Sequence, residues 1–148
     1  MSQHVADRIL AALEAQLATV AAIGPGRVFF QPLASINEAD MPCVIVDEIE
    51  DDVVAEAGYF PVEEQHALRF TVFVCQMVGA AGFRGAIATL HHDVELALVG
   101  SAAARSLGGL LTTGLKRPQA VYAVDAESLQ KPVGGWRLSF TCTYFLRS

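Results

Sequence analysis

From Trp136 to Leu146 apolar side chains fill every second position: Trp136, Leu138, Phe140, Cys142, Tyr144 and Leu146. Arg137, Ser139, Thr141 and Thr143 stand between them. A period of two belongs to a strand with one buried face. The same alternation runs through 66–77, where His66, Leu68, Phe70, Val72 and Val74 share one face. Arg69, Thr71, Phe73 and Cys75 share the other, and Phe73 makes that face only partly exposed. Two strands with one apolar face each require a cover.

Two helices supply it. In 3–22, Val5, Ile9, Leu13, Leu17 and Val20 recur at steps of four, four, four and three, so they line one helix face. Gly24-Pro25-Gly26 stops that helix, because Pro lacks an amide proton and Gly suits a left-handed exit. In 80–99, Phe83, Ile87, Leu90, Val94 and Leu98 form a second stripe, ended by Gly100 and Ser101. Further strands are expected at 27–31, 42–49 and 119–127. A hairpin turn over 130–135 carries Pro132, Gly134 and Gly135. The stretch 102–115 is small and Gly-rich, with at most one irregular helical turn. The order is helix, three strands, helix, two strands. It predicts an α+β fold: a single five-stranded mixed or antiparallel sheet with two helices packed on one face. The length, 148 residues, suits one domain over 1–148 with a full core.

Between the second and third strands lies an acidic interval, Glu50 to Gln65, reading EDDVVAEAGYFPVEEQ. A hairpin needs only about two to five loop residues. The sequence therefore predicts a long, mobile acidic loop at about 50–65, with an apolar tip at Tyr59-Phe60-Pro61. Such a loop is retained to bind something, or stands as a solvated surface. Charge is polarised around it. Between Val28 and Leu68 there is no Lys or Arg and there are ten acids, whereas the rest of the chain has ten bases against six acids. That layout lacks the basic stripe of a sequence-reading DNA binder. It suits contact between copies, the acidic part of one meeting the basic part of the next. Candidate assembly residues are Asp40, Glu50, Asp51, Asp52, Tyr59, Phe60, Glu63, Glu64 and Arg69.

The rest of the chain points away from catalysis. Cys43, Cys75 and Cys142 lie in strands without Cys-x-x-Cys spacing and read as buried free thiols. Gly79-x-x-Gly82-x-x-Gly85 opens a helix after a strand, but the spacing is not that of a dinucleotide-binding turn, and the Lys of a phosphate loop is missing. His91 and Glu95 are one helical turn apart, too few ligands for zinc. No serine sits in a Gly-x-Ser-x-Gly elbow, and the acidic interval lacks the ligand spacing of a calcium loop. The sequence therefore predicts no enzyme, no cofactor and no metal. No apolar run reaches the roughly 18 residues of a membrane span, and Asp7, Arg8 and Glu14 interrupt any signal-peptide stretch, so a cytoplasmic protein is expected.

Three stretches resemble the tail terminator proteins of long-tailed phages, the lambda-type minor tail protein U family. They are Arg8-Ile9-Leu10-Ala11-Ala12-Leu13-Glu14; Val28-Phe29-Phe30 followed by Asn37-Glu38-Ala39-Asp40-Met41-Pro42 and the strand Cys43–Val46; and Trp136–Tyr144. Order and spacing match over nearly the whole length, although this chain has a longer first helix and a longer Gly-rich stretch after the second. The resemblance implies a structural protein of a phage or prophage. It implies a ring, typically of six subunits, that caps the tail tube, ends tube polymerisation and forms the head-attachment surface. Its implied partners are further copies of itself, the tail tube protein and a head-completion or connector protein. DNA would pass through the ring without specific binding. The chain would act in the host cytoplasm during assembly and then in the tail or neck of the virion. Another neck component, such as a head–tail joining or tail completion protein, remains open, as does a small cytoplasmic enzyme or ligand-binding module.

Overall fold

The computed structural model describes residues 4–30, 35–57, 63–125 and 132–147. The element order is α1 (Val5–Leu17), β1 (Val28–Phe29), a 3-10 turn (Glu38–Asp40), β2 (Cys43–Ala57), β3 (Glu63–Met77), α2 (Phe83–Val99), a four-residue α3 (Ala102–Arg105), β4 (Gln119–Asp125) and β5 (Val133–Arg147). The strands form one five-stranded sheet in the order β1-β2-β3-β5-β4. β1 runs parallel to β2 and every other pair is antiparallel, so the sheet is mixed. The α+β expectation holds.

The main core lies between the helices and one sheet face. Ile9, Leu13 and Leu17 of α1 join Phe83, Ile87, Leu90, Val94 and Leu98 of α2, the full stripe expected of that helix. They meet Val44, Val46, Leu68, Phe70, Val72, Leu138, Phe140 and Tyr144 from the sheet. Gln16 ties the layer together: its Nε2 donates to the carbonyls of Ala97 at 2.7 Å and Ala104 at 2.9 Å. This satisfies acceptors where α2 and α3 end. α1 stops at Leu17 rather than near 22, yet Val20 and Ile23 stay buried. The apolar spacing thus outlasts the helix, the chain passing into turns that Gly24 closes at a φ of 67°.

The second face has a smaller core. Cys43, Ile45, Phe73, Cys75 and Val133 are covered by Ile36 and Met41 from the connection ahead of β2. Phe73 is therefore wholly buried, and the Arg137 guanidinium lies 4.5 Å from its ring centroid. All three cysteines are buried free thiols. Burial pushes the Cys142 thiol up to about 12.

Two expected turns are strands. Gly134 and Gly135 lie inside β5, paired with Gln76 and Cys75, not in a hairpin turn. A Cβ on Gly135 would sit 1.8 Å from the Val74 carbonyl oxygen, so close approach of β3 is what requires glycine here. The expected acidic loop at 50–65 is the larger correction. Residues 50–57 belong to β2 and 63–65 to β3, paired through Glu50↔Arg69, Asp51↔Leu68, Asp52↔Ala67 and on to Ala57↔Glu63. The distal part of the β2–β3 pair, from Glu48 outward, forms an arm of the sheet with β5 alongside β3. Tyr59, Phe60 and Pro61 lie outside the described residues.

Candidate assembly surfaces

The arm begins at a register shift between Asp47 and Glu50. Glu48 sits there with a φ of 52°, a left-handed conformation that marks a bulge in a strand. A second shift falls between Val53 and Ala55. Beyond the first, β1 no longer pairs with β2. All seven residues from Glu48 to Val54 are exposed, among them Ile49, Val53 and Val54 at 39%, 49% and 53%.

On the helix side of the arm a polar network replaces the apolar core. His66 is 7% exposed. Its Nδ1 lies 2.9 Å from Asp51 Oδ1, and its Nε2 lies 3.2 Å from Glu64 Oε1. Tyr144 Oη donates to Asp51 Oδ2 at 2.5 Å, and the tyrosine ring stacks on His66 at 4.9 Å between centroids. Ionised carboxylates only accept, so both contacts are satisfied together by an imidazolium. Burial works to lower the His66 pKa, but the hydrogen bonds and charges of Asp51 and Glu64 outweigh it and raise it above 6.5. Burial, then Asp51, pushes the Tyr144 hydroxyl well up. This network ties β2, β3 and β5 together at the margin of the main core, which Tyr144 also joins.

The candidates named from sequence separate into groups. Asp51 and Glu64 converge on His66. Glu50 and Asp52 are exposed, and Glu50 lies opposite Arg69, itself exposed on β3. Glu63 begins β3, opposite Ala57 and Arg147. Asp40 lies in the 3-10 turn ahead of β2, at the far end of that strand from the arm. Near the bulge, Thr71 Oγ1 donates to Glu48 Oε2 at 3.0 Å, and Asp47 Oδ2 is 3.8 Å from Arg137 Nη1. Burial, opposed by Arg137, raises the Asp47 pKa.

The other end of the sheet carries a surface that the sequence did not single out. β4 pairs only with β5 among the described residues. Val121, Tyr122 and Val124 on it are 53%, 47% and 53% exposed. A groove of about 890 Å3 opens beside it, lined by Phe83, Arg84, Ile87, Ala88, Tyr122 and Trp136 among others. Trp136 forms its wall, with the Tyr122 ring edge-on at 5.6 Å and His91 stacked at 4.9 Å. Glu95 Oε1 holds His91 Nε2 at 2.8 Å, so this pair braces an aromatic wall. Among the described residues no group of three or more His, Cys, Asp or Glu side chains is arranged to hold a metal ion. The exposure of β4 could be found only from strand order, since the alternation of 119–127 does not reveal an edge.

No family model matches the chain, and no curated protein matches it. A solved chain of the virion of a native gene transfer agent particle is similar at 21% identity, over 98% of this chain and 100% of that one, with a TM-score of 0.48. At that level the likeness does not assign a function.

Proposed function

We propose that this chain is a phage or prophage structural protein, a tail terminator that caps the tail tube, ends its polymerisation and presents the surface to which the head attaches. The observation that carries this reading is the ordered set of three stretches that resemble the terminator family. They fall on the parts that build the scaffold: α1, the unit from β1 through the 3-10 turn into β2, and β5. The segment Asn37–Pro42 supplies Met41, which together with Ile36 covers the second face of the sheet. The likeness is thus one of architecture, and the exposed arm and β4 edge are where a working surface is free to lie. The role is assembly rather than catalysis. Its partners are further copies of the chain, the tail tube protein and a head-completion protein, with DNA passing through the ring without specific contact. It acts in the host cytoplasm and ends in the tail or neck of the virion.

Complementation of a terminator-defective phage tests the reading. The chain from a matched phage should restore tails of normal length that accept heads. Tails that remain overlong would contradict it. Binding to the head connector but not to the tail tube would identify a different neck component.

A further inference from the structure

The two ends of the sheet are unlike, and their unlikeness is complementary. At one end, among the described residues, the outer edge of β2 is unpaired beyond β1, and its exposed residues mix apolar side chains (Ile49, Val53, Val54) with carboxylates (Glu50, Asp52). A free strand edge with apolar side chains is a template for another strand. Two such arms pairing with each other would set carboxylate against carboxylate, which disfavours a two-fold contact. At the other end β4 has β5 as its one strand neighbour among the described residues, and Val121, Tyr122 and Val124 are exposed on it. Its surroundings are basic. Arg84 lines the groove, and the exposed pair Lys116 and Arg117 leads into β4. β4 itself has one acid, Asp125 at its last position, and Glu95 of α2 already holds His91 at 2.8 Å and faces Arg117 at 3.6 Å.

We infer that the acidic arm of one copy docks on β4 and the Arg84-lined groove beside it of a second copy, joining subunits head to tail. This rests on the ring-forming reading above and gives it a contact. The occupant is a second copy, because this chain itself supplies both halves: an acidic, apolar-studded strand edge, and an apolar strand edge with Arg84 in the groove beside it and Lys116 and Arg117 ahead of it. Burial of the valines against Tyr122 and Trp136 provides adhesion, while the charges fix which edge meets which. A contact between two different patches is heterologous, and it forms a ring where the repeated rotation closes on the first copy.

Charge exchange tests it. Glu50→Lys with Asp52→Lys reverses the arm, and Arg84→Glu with Lys116→Glu reverses the groove side. Self-association is followed by sedimentation at low and high salt and on tail tubes, with a thermal melt confirming each fold. Each reversed protein should need at least about tenfold more protein to assemble, and the protein carrying all four changes should regain assembly. Where a reversed arm fails to fold, Glu50→Gln with Asp52→Asn replaces it and should assemble more weakly, with less salt dependence. Reversed proteins that assemble as well as the wild type would overturn the docking while leaving the ring intact, and so would a fourfold variant that stays apart. A wild-type chain that forms no ring even on tubes would overturn both.

Discussion

From Cys43 to Val46 every residue of β2 is buried; from Glu48 to Val54 every residue is exposed, with the Asp51 carboxylate alone turned in to His66 and Tyr144. Both halves pair with the same neighbour, β3. What differs is the cover. The first half has helices on one face and Ile36 and Met41 on the other. The second half has neither, and a polar network around His66 stands in for a core. A strand can therefore be continuous in its backbone ladder while changing from scaffold to surface across one bulge.

The sharpest contrast is in stability. Phe70→Ala, in the covered part, should cost about 3–5 kcal/mol, as large core truncations do. Denaturant melts measure it, and a loss close to zero would break the distinction between body and arm. Tyr144→Phe probes the seam. It leaves Asp51 Oδ2 without its donor and should cost about 1.5–3 kcal/mol, the range for a hydrogen bond to a charged group. A neutral result would mean that the network does not hold the arm.

The pH dependence sharpens the same point. His66 has a raised pKa in the folded chain, above 6.5. Its contribution is therefore fully present below about 6.5 and is lost as pH rises through the folded value. Amides of the arm should exchange faster above that value while those of Cys43–Val46 stay protected. His66→Gln should flatten this dependence. Exchange that rises equally in both halves would show one cooperative unit instead. The smallest effect is expected in the arm itself. Glu50→Gln with Asp52→Asn should shift stability by no more than about 0.5 kcal/mol, since exposed positions contribute little.

The same division governs what could be read from the sequence. The stripe Phe83–Leu98 and the alternation of β3 and β5 were legible because one buried face imposes one period. The arm was not legible as strand. Its carboxylates are depleted in strands, and the two register shifts break the period-two pattern. Asp51 and Glu64 stood out in the sequence for charge alone, and in the structure both lie against His66. That link needs the β2–β3–β5 register, which joins Asp51, His66 and Tyr144 across long separations. The groove at Tyr122 and Trp136 likewise exists only once β4 is known to be an edge.

The central claim is that this chain ends tube growth by forming a ring on the tube. Electron microscopy of tail tubes polymerised with and without the purified protein tests it most directly. Tubes should stop lengthening when the protein is added and should carry a single ring at the growing end, with the acidic arm of each subunit against β4 of its neighbour. Tubes that grow at the same rate with bare ends, at protein concentrations where the chain is folded, would contradict it.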